Sequence, residues 1–106
     1  MKISEATMGV LRNFSDINNN ILFRPGKSIS TMSTMKNIMA KADVAEEFEQ
    51  EFGIYDLPEF LRAVDSFTKP MLKFNGSANL QIKDESSSLS ARYAFADKST
   101  LVVPSK

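Results

Sequence analysis

At 106 residues, with 42% hydrophobic and 25% charged side chains, the chain has the size and composition of one globular domain with a single core. Thirteen Lys and Arg residues balance thirteen Asp and Glu, so the molecule lacks the basic excess of proteins that grip nucleic acid by charge. The absence of histidine and cysteine excludes His-dependent relays, thiolate chemistry, histidine metal ligands and disulfides, and no enzyme activity is expected.

The apolar runs are only a few residues long, so none reads as a membrane helix, and "MKISEATMGVL" is too polar for a signal peptide. A cysteine-free chain fits a reducing cytoplasm. Ser4 is a candidate N-cap for a helix over Glu5 to Ile17, with Thr7, Val10, Leu11, Phe14 and Ile17 forming its buried stripe. Glu5, Arg12, Asn13 and Asp16 fall outside that stripe, and the asparagines Asn18 to Asn20 end the helix. "ILF-RPGK-SISTMST" follows, where Pro25-Gly26 suits the centre of a type II turn and predicts a hairpin between its flanks.

The segment "NIMAKADVAEEFEQEFG" is ambiguous. Its alanine, glutamate and lysine content favours helix, yet Ile38, Ala40, Ala42 and Val44 alternate with Lys41 and Asp43 as in a strand. A second helix is clearer: Asp56 is its N-cap, Glu59 its capping-box partner, and Pro58 lies in the first turn. Leu57, Phe60, Leu61, Val64 and Phe67 form the buried stripe, whereas Arg62, Asp65, Ser66 and Lys69 lie off it. "MLKF", a turn at Asn75-Gly76, "NLQIK", the polar "DESSS" and "LSARYAF" then read as a strand meander. In its last strand Leu89, Ala91, Tyr93 and Phe95 share one face, and Ser90 and Arg92 the other.

The two halves share an order of strand, amphipathic helix, hairpin and further strand, once over about 1–47 and again over about 51–96. By that pattern the ambiguous segment after Lys36 is a strand. Other short motifs carry no chemistry. "GKS" at Gly26 to Ser28 lacks the preceding glycine of a phosphate loop, since that position is Ile21. "STMK" at Ser33 to Lys36 has the serine–lysine spacing of an acylated nucleophile without its companion motifs. "EEFEQE" at Glu46 to Glu51 reads as a solvated acidic loop rather than a metal site, and the methionines read as core filler. The sequons at Asn13 and Asn75 are chance matches.

Four segments in order, "MKIS…VLRNFSDIN", "RPGKSISTMSTMKN", "FGIYDLPEFL" and "YAFADKSTLVVP", carry a resemblance. The chain resembles the N-terminal domain of the sliding clamps, the DNA polymerase processivity factors, of T4-like bacteriophages. That resemblance implies an α+β DNA-clamp fold, two βαβββ units with both helices packed on one face of antiparallel sheets, as one domain over 1–106. It implies a ring around duplex DNA that tethers the replicative DNA polymerase, placed by a clamp loader in the cytoplasm of an infected bacterial host, with no cofactor on this chain. Sequence-independent DNA contact then falls to Arg12 and Arg62, with Lys2 and Lys69 as outer cations, and the acidic run at Glu46 to Glu51 lies away from the hole. Glu5 and Asp16, on the same helix face as Arg12, dilute its positive charge.

The strand with Ile38, Ala40, Ala42 and Val44 would pair with the subunit's own second domain, and that with Leu89, Ala91, Tyr93 and Phe95 with the next subunit. Residues 101–106 would begin a truncated interdomain connector, no partner-peptide residues are assigned, and open edges predict self-association. The alternative is an α+β interaction module whose exposed edge strand captures a peptide.

Overall fold

Ser4 Oγ accepts a hydrogen bond from Thr7 N at 3.2 Å, and helix α1 runs from that cap over Glu5–Ser15. Its buried residues are Thr7, Met8, Leu11 and Phe14, so Met8 joins the expected stripe while Val10 and Ile17 are half-buried. The computed structural model describes residues 1–76 and 78–104; the last residue of the second sequon and the end of the anticipated connector lie outside them. Helix α2 spans Leu57–Asp65, with Asp56 accepting from Glu59 N at 3.1 Å and Pro58 in the first turn. Leu57, Phe60, Leu61, Val64 and Phe67 are all buried, as the periodicity predicts.

The strands are β1 (Ile21–Phe23), β2 (Gly26–Met32), β3 (Met39–Phe48), β4 (Phe52–Ile54), β5 (Pro70–Asn75), β6 (Asn79–Asp84) and β7 (Ser90–Ala94). All pairings are antiparallel, so the fold is α+β with two helices and antiparallel sheets. The meander β5-β6-β7 is as expected, and residues 39–48 take the strand that the repeat assigned over their helical composition.

One expectation fails. β1 does not form a hairpin with β2 across Pro25-Gly26; it pairs with β4, Leu22 opposite Gly53, while β2 pairs with β3. Gly26 has the anticipated positive φ, 127°, but it turns a corner between two sheets. Turn chemistry specifies the local bend and not the partner, and the apolar β1, buried at all three positions, finds its partner in the equally buried β4.

The leading strand of the first half shrinks to a single bridge, Lys2 to Met71, reinforced by Leu72 N donating to Met1 O at 2.7 Å. The opening segment of each half is therefore bonded to the strand that follows the helix of the other half. At the join, Phe52 stacks on Phe23 at 4.4 Å and touches Phe48, Phe74 and Phe95. Helices and strands bury their apolar faces in one continuous core. The methionines depart from expectation, since Met35 is 81% and Met39 67% exposed.

Candidate nucleic-acid interface

The helices lie side by side on one surface. Leu57 N, at the start of α2, donates to Asn19 O at 2.7 Å just beyond α1, and Arg12 Nη2 reaches Asp65 Oδ1 at 3.1 Å. Their apolar stripes face the strands, with Phe60 and Tyr93 in edge contact at 5.2 Å. The remaining helical faces, carrying Arg12 and Arg62, look outward together.

The charge on that surface differs from the expectation. Besides Glu5 and Asp16, Glu59 and Asp65 are also exposed on the helices, so four carboxylates face two arginines. Asp65 is the one engaged by Arg12, in a half-exposed pair worth about 0.2–1 kcal/mol. Arg62 makes no ion pair among the described residues. With two cations against four anions the helical surface carries net negative charge, and its positive potential is confined to the arginines themselves.

The outer cations lie elsewhere. The bridge to Met71 puts Lys2 in the cross-strand row Lys2–Met71–Lys83–Ser90, on the face of the sheet turned away from the core, where its Nζ meets Glu85 Oε1 at 3.1 Å. Lys69 sits in the bend after α2, its carbonyl accepting from Glu85 N at 2.9 Å at the end of the sheet. Lys2 thus falls on the sheet side because strand register, which helical spacing does not reveal, sets its direction.

The acidic run also needs correction. Its first half is the end of β3, where Glu46 and Phe48 point inward at 8% and 2% exposure while Glu47 points out; only Glu49 to Glu51 lie in the link to β4, where both glutamates are exposed. Glu46 holds the start of α1: Ser4 N donates to Oε2 at 2.6 Å and Thr7 Oγ1 to Oε1 at 2.5 Å. Burial alone raises its pKa, but the bonds from Thr7 and Ser4 outweigh this and hold the carboxyl below its ordinary value. The parity of Ala40, Ala42 and Val44 continues through Glu46, a signal that would have found it. Carboxylates alternating between two faces cannot converge on a cation, and no metal-holding group of His, Cys, Asp or Glu occurs among the described residues.

Asp84 plays a comparable part at the end of β6. Its carboxylate accepts from Ser86 Oγ at 2.6 Å and Ser86 N at 2.9 Å, and from Thr68 N and Lys69 N. These bonds, that of the Ser86 hydroxyl foremost, pull its pKa down to about 2. It pins the bend that carries the chain from α2 into β5.

Both expected edge strands are bonded on one side only among the described residues: β3 to β2, and β7 to β6. Ala40, Ala42 and Val44 pack partly against the core, as do Tyr93 and Phe95. Ile38 and Leu89 stand just outside their strands at 52% and 53% exposure, and Ala91 is exposed, so the alternation weakens at these ends. After a short 3-10 turn at Lys98–Thr100, the chain is clasped against the residues that follow α1. Asn18 Nδ2 donates to Val102 O at 2.6 Å, Val102 N to Asn20 Oδ1 at 3.1 Å, and Arg24 Nη2 to Pro104 O at 2.5 Å.

A family model described as DNA polymerase processivity factor matches residues 2–103. The sliding clamp of Vibrio phage KVP40 is 34% identical over 97 residues, covering 92% of this chain and 44% of its own length. The sliding clamp of Escherichia phage RB69 is 33% identical across 100% of the chain and 46% of the relative, and that of Enterobacteria phage T4 is 30% identical with the same coverage. The chain thus spans about half the length of these relatives.

Proposed function

The chain belongs to the DNA polymerase processivity factor family, and we propose that it acts as a sliding-clamp domain that helps encircle duplex DNA and tether the replicative DNA polymerase. The observation that carries this reading is the pair of helices laid side by side on one surface, with a common core and antiparallel strands behind them. Arg12 and Arg62 are the residues that meet phosphates, passing from one to the next without reading bases. The acidic remainder of the helical surface supports a cargo held by topology, since attraction strong enough to grip would also impede sliding.

Residues 1–106 form one clamp domain of two βαβββ pseudo-repeats, about 1–47 and 51–96; the exchange of leading segments between the halves supports that division. The ring is completed by further clamp domains through the open edges of β3 and β7, and the chain self-associates where those edges are unfilled. It performs no chemistry of its own, the loader supplies the energy of ring opening, and the site of action is the infected host's cytoplasm.

The test is retention on DNA. Loaded by the clamp loader of its own replication system, the protein stays on a nicked circle and is lost when that circle is linearised. Equal retention on both forms overturns the reading. Peptide capture at β3 regardless of DNA topology would instead establish an edge-strand interaction module.

A further inference from the structure

We propose that the outward face of the β5-β6-β7 sheet is a second phosphate-contacting surface, whose occupant is the sugar–phosphate backbone of duplex nucleic acid. Strand register assembles it. The row Lys73–Gln81–Arg92 lies beside the row Lys2–Met71–Lys83–Ser90, with all side chains of both rows on the same face. Opposed residues are about 5 Å apart and diagonal ones about 7–8 Å, so Lys73, Lys83 and Arg92 stand together within roughly 10 Å.

All three are exposed, and none makes an ion pair among the described residues. Glu85, just past the end of β6 beside Lys83 and Asp84, is occupied by Lys2 at 3.1 Å. Asp84 is only 8% exposed and is saturated by its own hydrogen bonds. Four cations against one anion leave a local charge of about +3 on a molecule whose total is zero. The helical surface has the opposite sign, so the two sides of the domain are electrostatically distinct.

The side chains also select the occupant. The rings Phe74, Tyr93 and Phe95 have the other parity and pack against the core. Bases of a single strand therefore find no stacking platform. A protein partner finds no aromatic or aliphatic anchor of the kind that dominates interface energy, Met71 being half-buried. What remains is Lys, Arg, Gln, Asn and Ser on a firmly bonded sheet, the inventory that meets phosphate oxygens without reading sequence. Unlike the helical surface, this face needs no ring to meet its ligand.

The experiment measures binding of a short fluorescent duplex to the full chain without a loader, as a function of salt. The expected affinity is in the non-specific range, a Kd of about 10⁻⁴–10⁻⁶ M at physiological salt, and log K falls with log salt at a slope near −2.7 for three phosphates neutralised. Lys73→Glu/Lys83→Glu/Arg92→Glu lowers binding more than about tenfold and flattens the slope, whereas Lys27→Ala/Lys41→Ala, exposed on β2 and β3, changes binding by less than about twofold. If charge reversal unfolds the chain, seen by circular dichroism, the milder Lys73→Gln/Arg92→Gln variant reduces the slope by about 1.8. Unchanged binding by the charge-altered variants overturns the proposal. So does tighter binding of single strands, or binding of poly-glutamate in place of DNA, which would assign the face to acidic proteins. Retention on circles is a separate measurement, so either hypothesis can fail alone.

Discussion

Replacing Glu46 by alanine tests whether a buried carboxylate anchors the first helix. The side chain accepts hydrogen bonds at 2.6 and 2.5 Å from Ser4 N and Thr7 Oγ1. Hydrogen bonds to a charged group contribute about 1.5–3 kcal/mol each before the cost of burying the charge, and a carboxylate at a helix N-terminus adds about 0.3–1 kcal/mol. The 3.1 Å bond from Ser4 Oγ to Thr7 Oγ1 can reverse and give the threonine hydroxyl a new acceptor, which softens the loss on that side, but Ser4 N–H is left unmet. The expected cost of Glu46→Ala is about 3 kcal/mol, a fall in Tm of roughly 12–24 °C for a domain of this size. Glu46→Gln keeps the shape and one acceptor oxygen, and costs about 1 kcal/mol. Urea denaturation at neutral pH, followed by circular dichroism, gives both values. The sign of the pH dependence follows from a folded pKa below the ordinary 4.5: the contribution is complete above that value and disappears as pH falls through the lowered one. The gap between wild type and Glu46→Gln therefore narrows on acidification. A Glu46→Ala variant within about 0.5 kcal/mol of wild type, or a gap that widens in acid, would refute the reasoning.

Asp84→Asn removes the acid sensitivity contributed by a carboxyl with a pKa of about 2 against an ordinary 3.8, so wild type loses stability across that interval and the variant does not, as urea midpoints in the two regimes would reveal. Phe52→Ala empties the centre of the aromatic cluster and costs about 3–5 kcal/mol by chemical denaturation, with Phe52→Leu far milder. At Gly53 a methyl group would meet Leu101 Cδ1 at 2.6 Å and Ala96 O at 3.1 Å; Gly53→Ala should cost about 1 kcal/mol and speed hydrogen exchange in residues 96–102. Asp65→Asn changes stability by less than about 1 kcal/mol at low salt and by nothing measurable at high salt, a comparison made by thermal melting.

Local chemistry made much of the fold legible. Capping residues and the 3.6-residue period located both helices, and alternation with turn residues located the meander, because each depends on neighbours a few positions away. The strand at 39–48 was legible only by comparing the halves: its composition argues for helix, and pairing with β2 overrides it. The partner of β1 was not legible, since β4 lies some thirty residues on and no turn signal reports a distant pairing. For the site, Arg12 and Arg62 were placed by helical spacing. The direction of Lys2 depends on a bridge to Met71 across most of the chain, and the inward turn of Glu46 follows only from strand parity, which its charge masks in the sequence. Helical spacing leaves Asp65 off the buried stripe and capping chemistry marks Glu59, but only the packing of α2 beside α1 shows that they share one surface with Arg12.

The trade of opening segments between the halves bears on how the chain can be taken apart. Met1 and Lys2 are fastened near Leu72, and Phe52 to Ile54 near Ile21, so scission at Gln50 would give two pieces that each retain a tongue belonging to the other. Neither piece should fold in isolation; mixed, the two should recover one melting transition rather than two. A nick there would behave as a missing peptide bond in an intact molecule, not as a hinge between independent lobes.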